Sequence, residues 1–143
     1  MQIKNYNQLD ITKITRKVSL IIPAQTAKLG PPVGPVLGQV KIKVKDFCTL
    51  FNDATSQFKL GLPLRVIVFV FKNETFNFII LPPSNSFLLK NSLKFSKTNS
   101  LTVLDVYKIA LIKKQEFEHL KLNVIFRNIL HTAKLLKIKI TLD

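Results

Sequence analysis

The sequence predicts an α+β protein in two parts: an N-terminal three-stranded sheet with short helices, a proline linker, and a C-terminal three-helix unit. Three observations carry this reading. β-Branched and aromatic runs, which suit a pleated half-buried surface, are concentrated before residue 82. Pro82 and Pro83 then interrupt every pattern, making a stiff, extended connector. Beyond them apolar residues recur at three- and four-residue spacing, as in amphipathic helices. The implied parts are residues 1–81, a linker at 82–84, and residues 85–143.

Taken in order, Lys17 to Ile22 reads as the first strand, ended by Pro23, which has no N–H for a ladder. Ala24 to Gly38 holds Gly30, Pro31, Pro32, Gly34, Pro35 and Gly38, a density of fixed and permissive backbone that suits a loop. From Val36 onward a helix can open, with Pro35 in its first turn. Val44, Phe47, Cys48 and Phe51 fall at helical spacing and predict a short helix over Asp46 to Asn52. Gly61 and Pro63 mark a turn. Arg65 to Lys72 and Thr75 to Leu81 are β-prone runs joined as a hairpin through Lys72-Asn73-Glu74-Thr75.

After the linker, Ser86 to Leu93 predicts a helix and Lys94 to Ser100 a polar loop. Thr102 to Lys114 predicts a second helix, with Thr102 as its N-cap. Asn123 is placed to cap a third, Val124 to about Leu136, with Ile125, Ile129 and Ala133 along one face. Ile138 to Leu142 is a terminal extended piece.

Charge points to the partner. Lys and Arg number 22 against 8 acids in 143 residues, a net +14, and an excess of that size favours a polyanion. Each half carries eleven basic and four acidic residues, so both can face nucleic acid. No helix combines a broad basic face with an aromatic-rich one, which argues against a membrane surface. The longest apolar run, Val66 to Phe71, is far short of the roughly 20 residues of a membrane span. Met1 to Arg16 includes Asp10 and several Asn and Gln, so no removable leader is expected there.

Catalytic and metal chemistry find little support. The only cysteine, Cys48, cannot form an internal disulfide and sits on the apolar face of a short helix, where a buried inert thiol is expected. His119 and His131 lack a third ligand, so neither a metal nor any other cofactor is expected. The proline-rich segment lacks the Gly-Lys-Ser/Thr ending of a phosphate-binding loop. A carboxylate pair, a nucleophile elbow and an oriented Cys-His arrangement are all missing, so the chain is read as a non-enzyme. Lys113-Lys114 and the trio Lys41, Lys43 and Lys45 are as compatible with solvated faces as with contacts.

The order of residues is more specific than their composition. The run Pro31-Pro32-Val33-Gly34-Pro35-Val36-Leu37-Gly38-Gln39, then Asp46-Phe47-Cys48, Phe51-Asn52 and Gly61-Leu62-Pro63, closely resembles the N-terminal domain of the bacterial-type large-subunit ribosomal protein eleven family. Pro82-Pro83 followed by Leu88-Leu89-Lys90 is similar to that family's linker and first C-terminal helix, and His131-Thr132-Ala133-Lys134 stands where the family usually has Gly-Thr-Ala-Arg. The resemblance spans roughly Lys17 to Ile140 and is strongest in the first half.

The resemblance implies a C-terminal domain that grips large-subunit rRNA at the GTPase-associated centre, forming the stalk base beside neighbouring stalk ribosomal proteins. It also implies a hinged N-terminal domain touched transiently by translation GTPases. On this carry-over Lys90, Lys94, Lys97, Asn99, Arg127, Asn128, His131, Thr132 and Lys134 are RNA-binding candidates, the loop from Lys94 to Asn99 ordering on binding. Pro31, Pro32 and Pro35 would line a cleft facing factors and thiazole-type antibiotics, and Pro82, Pro83 and Ser84 would be the hinge. The chain departs from the family pattern in a shorter loop without glycines between the first two C-terminal helices. It also has His131 and Lys137 in place of glycines, and Lys41 and Lys43 where the family tends to carry Gly and Asn. Usage rich in Lys, Asn, Ile and Phe suggests an AT-rich organellar genome, hence a mitochondrial ribosome, with a plastid or a bacterial cytoplasm as alternative settings. The competing function is a non-ribosomal basic RNA- or DNA-binding protein built on a three-helix unit.

Overall fold

One strand buried on both faces sets the N-terminal unit. In β2 (Pro63–Phe71), Val66 through Val70 are all buried, as the near-continuous apolar run requires of a central strand. It pairs antiparallel with β1 (Ile14–Pro23) on one side and β3 (Phe76–Leu81) on the other, in sheet order β1-β2-β3. The computed structural model describes residues 14–96 and 100–142. The chain divides into two compact units, Met1–Leu81 and Pro82–Asp143. The candidates Lys97 and Asn99, and residues 1–13 of the Met1 to Arg16 segment read for a leader, lie outside the described residues.

On one face of the sheet, Leu20, Ile22, Leu64, Val66, Val68 and Val70 meet two helices, α1 (Val33–Gly38) and α2 (Val44–Ala54). The packing is largely aromatic. Phe47 lies 5.9 Å from Phe51 in a stacked pair and 5.4 Å from Phe78 edge-on, geometries that suit the ring quadrupole. Ile67, Phe69, Ile79 and Leu81 form a second buried cluster with Ile14 packed on it. Lys17 adds its ammonium 6.0 Å from the centre of the Phe69 ring, at the outer limit of a cation–π interaction.

The C-terminal unit consists of α3 (Asn85–Phe95), α4 (Val103–Lys114) and α5 (Leu122–Leu135), with a two-stranded parallel sheet of β4 (Ser100–Thr102) and β5 (Lys139–Thr141). Leu89, Leu101, Val106, Ile109, Ala110, Ile125, Ile129 and Ala133 are its core. Thr102 caps α4 as expected, in a reciprocal box: the Asp105 N–H donates to Thr102 Oγ1 at 3.2 Å, and the Thr102 N–H to Asp105 Oδ2 at 3.1 Å. Lys114 Nζ donates to the carbonyls of Glu118 and Leu120 at 2.7 and 2.6 Å, tying down the turn before α5. Among the described residues, no helix is long and apolar enough to cross a membrane.

Several local expectations are corrected. The proline-rich segment holds a helix that starts at Val33, three residues earlier than expected, because Pro35 falls in the first turn, where its missing N–H has no intrahelical partner to lose. Asn123 does not cap α5; Lys121 is the N-cap, without a side-chain bond, and Asn123 lies exposed inside the first turn. Lys94 belongs to α3 and not to the following loop. Lys113 is not a solvated lysine: its side chain is 3% exposed and its ammonium lies 2.7 Å from the carboxylate of Glu116, whose side chain is 7% exposed.

The end of α5 has a specific geometry. Ile138 N–H donates to the Ala133 carbonyl and Lys137 N–H to the Lys134 carbonyl, both at 3.0 Å, with Lys137 at φ 55°. This is a Schellman motif, whose left-handed residue is best supplied by glycine. Replacing Lys137 by glycine is therefore expected to stabilise the protein by about 0.5–1 kcal/mol, read as a higher urea midpoint by circular dichroism. An unchanged or lower midpoint would mean that the lysine side chain contributes as much as its backbone costs.

Candidate nucleic-acid interface

The α5 sequence separates its two faces by helical periodicity. Ile125, Ile129 and Ala133 are buried, and Leu122, Phe126, Leu130 and Leu136 pack beside them. The remaining positions turn outward, so Arg127, Asn128, His131 and Lys134 are all exposed along one stripe. No acidic residue occurs in the helix. Thr132 differs from its neighbours: it is half-buried, and its hydroxyl donates to the Asn128 carbonyl at 2.8 Å. Its proton is thus used inside the helix, leaving only acceptor capacity for a partner.

A second exposed stripe runs along α3, where Leu89 faces the core. Lys90 and Lys94, one turn apart, are exposed on it. The helix begins at Ser84, whose Oγ accepts the Phe87 N–H at 3.3 Å. Ser84, expected in the hinge, is therefore part of the helix start, and only Pro82 and Pro83 stand between it and the last residue of β3.

In the N-terminal unit the proline segment is held from behind. Pro31, Pro32 and Pro35 are exposed, while Val33 and Leu37 between and beyond them are buried. The Pro31–Pro32 peptide is cis. Gly34 N–H donates to the Gly30 carbonyl at 3.1 Å, and a Cβ on Gly34 would stand 2.0 Å from the Leu29 carbonyl oxygen. Two residues missed by sequence reasoning complete the support. Asn52 both accepts the Ala27 N–H at 2.9 Å and donates to the Ala27 carbonyl at 3.2 Å. Gln25, at φ 61°, donates its backbone N–H to Thr55 Oγ1 at 3.0 Å and its amide to the Phe58 carbonyl at 2.6 Å. The signal for Asn52 was its place beside Phe51 in the motif; nothing marked Gln25.

Residues 18–76 match the family described as "Ribosomal protein L11, N-terminal domain". The large ribosomal subunit protein uL11 of Rickettsia rickettsii (strain Iowa) is 38% identical over 107 residues, covering 73% of this chain and 74% of that protein. The uL11 of Rickettsia typhi (strain ATCC VR-144 / Wilmington) is 38% identical over 108 residues, 74% of each chain. That of Rickettsia massiliae (strain Mtu5) is 42% identical over 85 residues, 59% of each. The chain belongs to the ribosomal protein L11 (uL11) family. It is a large-subunit ribosomal protein, and the family is one of structural components of the ribosome.

The one cysteine of this uL11 family member is placed as core. Cys48 is buried and free, and burial pushes its thiol pKa up, away from the reactive thiolate. Among the described residues no three His, Cys, Asp or Glu side chains are grouped to hold a metal ion.

The close approach at Gly34 gives a direct test of how the proline segment is shaped. Gly34→Ala must displace the turn at Leu29 and is expected to destabilise by about 1–3 kcal/mol. Gly30→Ala, where nothing lies within 4 Å of the added carbon, serves as the control. Equal thermal unfolding of the two variants would show that the 29–34 turn yields freely.

Proposed function

We propose that this uL11 chain binds large-subunit rRNA at the GTPase-associated centre through its C-terminal unit. In this reading it forms the stalk base with neighbouring stalk proteins and presents Pro31, Pro32 and Pro35 to translation GTPases across the factor and antibiotic cleft. The observation that carries the reading is the α5 stripe: Arg127, Asn128, His131 and Lys134 exposed together on a helix with no acid, fixed by a buried opposite face. Two cations and two groups able to hydrogen-bond, on a rigid element, suit phosphate and sugar binding. Lys90 and Lys94 on α3 extend the charged surface, and Lys97 and Asn99 follow them in sequence.

The residue usage supports an organellar ribosome, and within that reading we assign the mitochondrion. The bacterial relatives support the alternative setting, a bacterial ribosome. Fluorescence localisation of the tagged chain in its source cells separates the two.

Titrating the full chain against an rRNA fragment of the GTPase-associated region at several salt concentrations tests the anchor. Binding should weaken as salt rises, and Arg127→Ala with Lys134→Ala should lower the log-log slope by about 1 for each phosphate no longer neutralised. Salt-independent binding, or equal affinity for duplex DNA, would overturn the assignment.

The arm has its own test. Pro82 and Pro83 join the last residue of β3 to the cap of α3 with two residues of fixed φ. Replacing both by glycine is expected to leave rRNA affinity within about twofold, because the α5 stripe is untouched, yet to slow factor-dependent GTP turnover on reconstituted ribosomes by loosening the direction of the arm. Unchanged turnover would remove the hinge from the mechanism.

A further inference from the structure

Beyond the assigned cations, α3 carries an exposed feature that charge does not explain. Phe95 closes the helix with 78% of its surface exposed. The other exposed aromatic among the large hydrophobics of the described residues, Tyr107, is 42% exposed and lines an apolar groove with Leu104, Phe126 and Leu142. Phe95 is not among the residues that line that groove. Its neighbours on the outer face of α3 are Lys90, Asn91 and Lys94, all exposed, at positions that place all four side chains on one side of a helix. No acidic residue occurs in α3. The helix end is fixed: Ser96 N–H donates to the Leu93 carbonyl at 3.1 Å, and Ser96 Oγ to the Ser100 carbonyl at 2.5 Å.

We propose that Phe95 is a stacking platform for an unpaired RNA base, with Lys90 and Lys94 holding the flanking phosphates and the Asn91 amide within reach of the base edge. The proposal rests on the rRNA-binding reading and adds base recognition to it. Single-stranded nucleic acid is bound by this pairing of an aromatic face for the base with cations for the backbone. An asparagine side chain offers both a donor and an acceptor, as a base edge requires. Isolated exposed apolar residues are common on protein surfaces; what distinguishes Phe95 is the two lysines and the amide on its own face. A protein partner with an apolar patch is the competing occupant, and two lysines on a helix without an acid favour the polyanion.

The experiment uses the full chain and the rRNA fragment of the GTPase-associated region. Phe95→Ala is expected to weaken binding at least about fivefold, the low end of what one stacked base contributes, with an unchanged salt slope because the lysines still hold their phosphates. Phe95→Leu, which keeps apolar area without a π-face, should weaken it comparably. The chain contains no tryptophan, so Phe95→Trp installs a single reporter. Its fluorescence should be quenched along the binding curve by the rRNA fragment, and left unquenched by a fully paired RNA duplex of equal length. Circular dichroism should show all three variants folded, since the side chain is exposed.

Should Phe95→Ala or Phe95→Leu bind as tightly as the parent chain, or Phe95→Trp bind without quenching, the stacking role is overturned while the rRNA reading stands. Failure of the parent chain itself to bind the fragment would overturn both.

Discussion

The periodicity of α5 is the constraint on which the C-terminal unit depends. A helix that buries Ile125, Ile129 and Ala133 has no freedom to choose what it shows to solvent. The same packing that joins α5 to α3 and α4 therefore aims Arg127, Asn128, His131 and Lys134 outward. Core and exposed stripe are two readings of one repeat. A substitution at Ile129 would disturb the charged stripe without touching a charge, because it would shift the helix that carries it. The donated proton of the Thr132 hydroxyl follows the same logic: at the border of the two faces it serves the helix before any partner.

The N-terminal unit solves a different problem, holding a segment rich in proline and glycine in one shape. Such a segment has few backbone bonds of its own, so side chains must supply them. Asn52 does this from α2 and Gln25 from within the segment, two residues before Ala27, and both act on backbone groups. Asn52 stands on α2 next to Phe51, whose ring is packed with Phe47 and Phe78 against the sheet. The aromatic core thus fixes α2, α2 fixes Asn52, and Asn52 fixes the loop leading into the exposed prolines. Gly34 completes the arrangement by letting the helix start pass against the Leu29 carbonyl.

The legibility of the sequence follows the range of the forces involved. The hairpin of β2 and β3, the first strand, the Thr102 cap and the apolar faces of α2 and α5 were readable because each depends on residues within a few positions. The parallel pairing of Ser100–Thr102 with Lys139–Thr141 was not. It joins segments about forty residues apart, and three-residue strands leave no periodicity. Asn123 misled because a good capping residue lay within a turn of where packing starts the helix, at Lys121. Lys113 misled because a lysine beside a lysine reads as solvent-facing, and only the fold brings the Glu116 carboxylate around it out of water. For the site, helical spacing placed the α5 candidates. Phe95 escaped notice because the loop was expected to start one residue before it, at Lys94, which hid its place on the Lys90 face.

Two of the three positions where the resemblance leads one to expect glycine share one structural explanation. Lys41 and Lys137 occupy the same position in two similar motifs. After α1, Ile42 N–H donates to the Leu37 carbonyl at 3.3 Å and Lys41 N–H to the Gly38 carbonyl at 3.1 Å, with Lys41 at φ 58°, the pattern that Lys137 repeats after α5. In both, the next residue returns an apolar side chain to the core: Ile42 is buried, and Ile138 packs on the C-terminal cluster. That apolar return keeps each turn closed even though lysine tolerates the left-handed conformation less well than glycine, at a cost of about 1 kcal/mol. Each replacement leaves the turn intact and adds a positive charge at a helix C-terminus, where it offsets the partial negative charge of the free carbonyls. Lys41 and Lys137 are both exposed, so each charge also adds to the positive field of a +14 chain.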